Sequence, residues 1–151
     1  MLEVKIRRVR PGVTLPYYAS EAAAGLDLSA AITEPLVIHR GERHRIPTGI
    51  AIALPSRNWV GLLFARSGLA YRSGLALANG VGVIDADYRG EIMCAVINLG
   101  EEPVTVNPGD RIAQLVFMPV AAAKLVEVEQ LDETERGAGG FGSTGVKSGG
   151  R

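Results

Sequence analysis

The residues best equipped for chemistry fall in a few short blocks of this 151-residue sequence. Asp85 and Asp87 stand two apart in Gly82-Val83-Ile84-Asp85-Ala86-Asp87-Tyr88-Arg89-Gly90, and a carboxylate is the residue type for taking a proton from water. Side chains two apart share a face of an extended segment, so either both carboxylates converge or the backbone turns between them; an acidic surface turn is the ordinary alternative. Just upstream, Asn79, Gly80, Val81 and Gly82 suit a tight turn or a close backbone approach to a planar ligand, and Val83-Ile84 has the character of a buried strand leading to Asp85.

A second block, Ala65-Arg66-Ser67-Gly68-Leu69-Ala70, closes an apolar run. Arg66 offers a fork of donors, and Ser67 is placed to cap a short helix through Leu69, Ala70 and Tyr71. An arginine beside a helix start suits an anion. The same letters return at Arg72-Ser73-Gly74-Leu75-Ala76, too soon for a structural repeat; the first copy is favoured because it leaves the strand directly. Gln114 lies inside the apolar run from Ile112 to Met118, and Asp27 lies between Leu26 and Leu28. A polar group buried in such company needs a partner, in the protein or on a ligand.

The elements that must position these groups are strands. Nineteen glycines and eight prolines punctuate short runs of Val, Ile and Leu too often for several long helices. Ile50, Ile52 and Leu54 alternate with alanines as in a half-buried strand; Pro55 and Asn58 turn the chain into the run from Trp59 to Phe64. Ile92 to Leu99, Val104 to Val106 and Arg111 to Met118 follow, separated by Gly-Glu-Glu-Pro and Asn-Pro-Gly-Asp turns. A sandwich or closed barrel is the expected package. The runs Ile92 to Ile97 and Ile112 to Met118 are apolar on both faces, which predicts that their second face meets another subunit. From Arg136 the composition is that of a flexible tail, but Phe141 sits among glycines with Arg136 upstream and Ser143 and Thr144 downstream, a set able to close over a base and its phosphates.

Several classes of function are excluded. Sixteen basic and sixteen acidic residues cancel, so no global field holds a nucleic-acid backbone and any phosphate site is local. No Gly-x-x-x-x-Gly-Lys-Ser/Thr loop, no strand-borne Gly-x-Gly-x-x-Gly and no Cys/His metal spacing is present. The single cysteine, Cys94, reads as a small buried hydrophobe, and His39 and His44 as unpartnered surface residues in a basic strand region. No run reaches the ~18 apolar residues of a membrane span and no leader is visible, so the expectation is a cytoplasmic protein without membrane or nucleic-acid partners.

Taken in order, five segments resemble the motifs of the trimeric dUTP pyrophosphatase (dUTPase) family: AGLDLSA at Ala24 to Ala30, ARSGLA at Ala65 to Ala70, GVIDADYRGE at Gly82 to Glu91, GDRIAQLVF at Gly109 to Phe117, and RGAGGFGSTG at Arg136 to Gly145. The resemblance covers nearly the whole chain. One departure is Ala65, where the second motif usually has proline. The related dCTP deaminases usually carry Asp-Pro-Gly where this chain has Asp85-Ala86-Asp87.

The resemblance implies an all-β, jelly-roll-like barrel over residues 1–135 and a flexible glycine-rich arm over 136–151, assembled as a homotrimer with shared active sites. It implies hydrolysis of dUTP with Mg2+, Asp85 being the base and Asp87 structural. Tyr88 packs on the deoxyribose, while Asn79 and the backbone from Gly80 through Gly82 to Ile84 read uracil. Arg66, Ser67, Gly68 and Gln114 take the phosphates, and Arg136, Phe141, Ser143 and Thr144 come from the closing arm. Mg2+ is held mainly by the substrate phosphates, with Asp27 facing its water shell.

Overall fold

A computed structural model of the chain describes residues 1–140. Its twelve strands pair antiparallel throughout, in four small sheets around one core. Strand β1 (Lys5–Arg8) lies beside β6 (Ile50–Ala53), and β4 (Leu36–Ile38) beside β11 (Val104–Val106). Strands β5 (Arg43–Pro47), β10 (Met93–Asn98) and β8 (Leu75–Leu77) make a three-stranded sheet. The largest sheet runs β2 (Tyr17–Tyr18), β3 (Leu26–Ser29), β12 (Arg111–Pro119), β7 (Trp59–Ala65), β9 (Gly82–Ile84). Leu28, Ile38, Ile46, Ile50, Leu63, Cys94, Val96 and Leu115, drawn from all four sheets, fill the middle. This is an all-β fold of the kind the strand spacing called for, consistent with the jelly-roll type that the resemblance implies.

Two expectations change at the level of single strands. In β6 the alanine face is partly closed as well, Ala51 being 5% exposed and Ala53 half-buried; the small residue at Ala51 marks packing space rather than exposure. The pair in the basic region is not free of contacts: His44 Nε2 lies 3.6 Å from Glu42, whose carboxylate also accepts the His39 amide. The turn between β4 and β5 brings those residues together.

Strands β10 and β12 both contribute residues to the core. Cys94, Val96 and Asn98 of β10 point into the core while Met93, Ala95 and Ile97 stay half-buried. On β12, Ile112 and Leu115 are buried, whereas Val116 is half-buried and Met118 exposed. Asn98 is fully buried, and both ends of its amide are bonded: Nδ2 donates to the carbonyls of Ile38 and Glu102, and Oδ1 accepts the Gly100 amide. The last strand ends at Pro119, and residues 120–135 follow without regular structure and exposed, Leu125 and Leu131 among them.

Cys94 is fully covered, and burial pushes its thiol up to about 12 because the thiolate would have no water. The fold therefore keeps a proton that the unfolded thiol gives up. This contribution to stability is complete below about pH 8.5 and declines as pH rises towards the folded value, by at most about 1.4 kcal/mol per unit. At neutral pH a thiol reagent is expected to label Cys94 no faster than the chain unfolds; labelling within the mixing time would show that this part of the core is open.

Candidate active site

Strand β12 sits between β3 and β7, and its register sets Gln114 opposite Asp27 on one side and Phe64 on the other. Gln114 Nε2 donates to the Ala65 carbonyl at 3.1 Å, the partner that its setting demanded. Asp27 is 8% exposed and is held by two cations: Arg66 Nε lies 3.2 Å from Oδ1 and Arg111 Nη1 2.8 Å from Oδ2. Arg66 also donates from Nη1 to the Arg111 carbonyl, which ties the end of β7 to the start of β12. The hydrogen bond to Asp27, with Tyr17 adding to it, holds the Arg111 guanidinium above its already high range. Two arginines on one carboxylate leave a local positive excess, although the chain as a whole is neutral.

That excess faces a cleft of about 450 Å3 lined by Gly25, Asp27, Arg66, Ser67, Gly68, Arg72 and Gln114. The helix α1 (Ser67–Ser73) begins one residue earlier than expected: Arg66, still extended as it leaves β7, occupies the cap position without a side-chain capping bond. Ser67 is therefore not the cap but the first helical residue, exposed, with its hydroxyl free for a ligand. The two copies of Arg-Ser-Gly-Leu-Ala have opposite roles. The first starts the helix; in the second, Gly74 ends it at φ 74°, its amide returning to the Ala70 carbonyl. A Cβ on Gly74 would sit 2.1 Å from the Gly100 nitrogen, so only glycine fits.

The carboxylate block lies elsewhere. Strand β9 pairs with β7 so that Gly82 faces Leu63 and Ile84 faces Gly61. A Cβ on Gly82 would meet the Leu63 side chain at 2.9 Å, which accounts for the close approach of the two strands. Val83 is not buried but 61% exposed, because β9 is an edge strand and the intervening side chain points away from the core. Asn79 is exposed in the preceding turn, where Gly80 has φ 71°. After Ile84 the backbone turns: the Tyr88 amide donates to the Asp85 carbonyl at 3.1 Å, so Asp85 and Asp87 do not share a strand face. Tyr88 folds back, its hydroxyl donating to the Glu91 carbonyl at 2.9 Å across Gly90, where a Cβ would stand 2.4 Å from Tyr88 Oη. Asp85, Asp87, Arg57, Trp59 and Arg89 line a second cleft of about 700 Å3.

The two clefts belong to opposite ends of one strand. Asp85 follows Ile84, which pairs with Gly61, whereas Arg66 follows the far end of β7. From Val60 to Arg66 the strand covers roughly 20 Å at ~3.3 Å per residue. Within one chain, then, Arg66, Ser67, Gly68, Gln114 and Asp27 come together, and Asp85, Tyr88, Gly82 and Ile84 form a separate group. Arg136 Nε donates to the Gly139 carbonyl in a turn of its own; Phe141, Ser143 and Thr144 lie outside the described residues. Sequence reasoning missed Arg111 and Arg72. The demand of a buried Asp27 for a cation was the available signal for Arg111, once β3 and β12 are paired. Among the described residues no group of three or more His, Cys, Asp or Glu is arranged around a common point for a metal, and Asp27 is the one carboxylate lining the cationic cleft.

The chain is thus an antiparallel β-barrel with an arginine-walled cleft at one end of a strand and an exposed carboxylate turn at the other. The dUTPase family model matches residues 12–145. The chain is 57% identical over 147 residues to the deoxyuridine 5'-triphosphate nucleotidohydrolase of Desulfitobacterium hafniense, covering 96% of this chain and 97% of that one. It is 48% identical over 144 residues to that of Coxiella burnetii, covering 95% of each. The fold superposes on Staphylococcus bacteriophage 80alpha dUTPase with dUpNHpp at a TM-score of 0.83 and 28% identity, over 95% of this chain and 99% of that one. It is also similar to the dUTPase of phage phi11 of S. aureus, whose structure concerns the coordination of a structural Mg(II) ion, with a TM-score of 0.76, 25% identity, and 85% and 97% of the two chains covered. The chain belongs to the dUTPase family.

Proposed function

We propose that this protein hydrolyses dUTP to dUMP and pyrophosphate, keeping uracil out of DNA and supplying dUMP for thymidylate synthesis. The observation that carries the reading is the Arg66–Asp27–Arg111 cluster beside the unused Ser67 hydroxyl and Gln114. It is an anion site held by paired charges, on a family member whose relatives are named for this reaction.

In the mechanism Arg66, Ser67, the Gly68 backbone and Gln114 bind the phosphates. Asp27 works mainly by holding the forks of Arg66 and Arg111 at fixed angles. Asp85 accepts a proton from the water that attacks the α-phosphorus; the bond to the bridging oxygen breaks and pyrophosphate leaves. Tyr88, pinned across Gly90, packs on the deoxyribose where a 2′-hydroxyl would clash, and Asn79 with the backbone from Gly80 to Ile84 reads the uracil edge. Arg136, Phe141, Ser143 and Thr144 close over the nucleotide. Mg2+ enters as part of the substrate: the donor set of the cationic cleft, one carboxylate already engaged by two arginines, fits an ion chelated by triphosphate oxygens and met by Asp27 through water. Bound there, the ion neutralises phosphate charge and aligns the chain for in-line attack.

A triphosphate cannot reach along β7 from Arg66 to Asp85, so the working site joins the cationic cleft of one chain to the carboxylate turn of another. The half-exposed second faces of β10 and β12 and exposed Val83 support a homotrimer that does this. No helix among the described residues is long and apolar enough to cross a membrane; we read the enzyme as cytoplasmic. The test is pyrophosphate release with magnesium across dUTP, dCTP, dTTP and UTP. The expected kcat/KM favours dUTP by at least a hundredfold; equal turnover of dCTP, or ammonia release from it, would overturn the assignment.

A further inference from the structure

The loop from Asp85 to Glu91 carries both the proposed base and the proposed sugar-facing ring, and its internal bonds do not fix it to the barrel. Tyr88 N–H to Asp85 O, Arg89 Nη1 to the Ala86 and Tyr88 carbonyls, and Tyr88 Oη to Glu91 O all stay within the loop. Among the described residues, every side-chain hydrogen bond from this loop to the rest of the chain runs through Glu91. Its Oε1 accepts from the Gly49 amide at 2.8 Å and from Arg10 Nε at 3.0 Å, and Oε2 accepts from Arg10 Nη2 at 3.0 Å.

The receptor for Glu91 is itself held by hydrogen bonds. Gly49 has φ 70°, and a Cβ there would lie 2.3 Å from Val13 Cγ2 and 3.1 Å from Ala31 Cβ, so this place in the β5–β6 turn requires glycine. Its carbonyl is taken by the Val9 amide, which delivers Arg10 to the same place. Thr48 next to it holds the Ile92 carbonyl through both its amide and its hydroxyl. A bidentate guanidinium pair on such a turn fixes direction as well as distance, while a pair this exposed adds little to global stability.

We propose that Glu91, clamped by Arg10 and the Gly49 amide, is a positioning residue that sets the height and angle of the Asp85 to Gly90 loop, and through the Tyr88–Glu91 bond the face that Tyr88 offers to the sugar. The part concerning the sugar rests on the dUTPase reading above. The N-terminal segment thereby contributes to substrate selection without touching substrate.

Trp59, the sole tryptophan, lines the cleft with Asp85, Asp87 and Arg89, so its emission and its quenching by iodide report loop position without reference to turnover. The experiment compares Glu91→Ala, Glu91→Gln, Arg10→Met and, as a control on the sugar reading, Tyr88→Ala in the full-length protein. Each is measured for Trp59 fluorescence, thermal midpoint, and kcat/KM for dUTP and UTP. Glu91→Ala is expected to change Trp59 quenching, to lower kcat/KM for dUTP by about tenfold to a hundredfold and to raise the UTP/dUTP ratio, with a small change in midpoint. Glu91→Gln, which keeps an acceptor for the Gly49 amide, restores part of each, and Arg10→Met follows Glu91→Ala in the same direction while leaving the buried turn intact.

Unchanged Trp59 quenching in both Glu91→Ala and Arg10→Met would overturn the proposal. So would a UTP/dUTP ratio that moves in Tyr88→Ala but not in Glu91→Ala. If quenching shifts in the clamp variants while the ratio stays fixed in Tyr88→Ala as well, the clamp stands and the sugar-facing reading of Tyr88 falls.

Discussion

Replacing Asp85 by asparagine is expected to lower turnover of dUTP by about 10²- to 10⁴-fold while leaving nucleotide binding and assembly in place. The amide has nearly the shape of the carboxylate but cannot take a proton from water, and general-base assistance has about that worth. Asp85 follows directly from β9, whose pairing to β7 fixes the point where its side chain leaves the sheet. Asp87 lies inside the turn that the Tyr88 amide closes on the Asp85 carbonyl, two residues past the end of the strand. Asp87→Asn should therefore be mild by comparison. Single-turnover and steady-state rates for both variants decide the matter: a crippled Asp87→Asn beside a nearly active Asp85→Asn would move the base two residues along.

The second large effect is a recovery of activity from two dead proteins. Asp85→Asn lacks the proposed base, and a chain ending before Arg136 lacks the proposed closing arm. Unfolded together in equal amounts and refolded, chains of the proposed homotrimer would assemble at random, about three quarters of the trimers containing both variants. Where base and arm come from neighbouring chains of a ring, each mixed trimer has one junction at which an intact Asp85 meets an intact arm. Activity should return to about one quarter of wild type per chain. Refolding each variant alone gives the background. If base and arm belong to one chain, no mixture completes a site and the rate stays at that background.

Much of the fold was legible because turn chemistry is local. Gly100 to Pro103 and Asn107 to Asp110 sit between strands where glycine, proline and Asx residues placed them, and the strands they separate are β10, β11 and β12. The needs of Asp27 and Gln114 were legible for a different reason: a polar group set among leucines or valines must be paired wherever the chain goes. Their partners were not legible. Arg111 reaches Asp27 only because β12 pairs with β3 in one particular register, and pairing across more than eighty residues of sequence leaves no local mark. Val83 was misplaced for the same reason, since being an edge strand is a property of the sheet. The two Arg-Ser-Gly-Leu-Ala segments make the point most sharply, as identical letters start α1 in one place and stop it in the other, according to what precedes them: a strand before Arg66, a helix before Arg72.

Because β7 keeps Asp85 and Arg66 a strand's length apart, a lone folded chain would, on the proposed reading, hold two half-sites and no whole one. Its specific activity is then not a constant of the molecule but a function of how much of it there is. In the homotrimer proposed above a site exists only where chains meet, so the assembled fraction would fall steeply once the protein is diluted below its own association range, and a cell that makes too little would lose more than its proportional share of hydrolysis. Production of the protein and the catalytic competence of each copy are in this way a single variable.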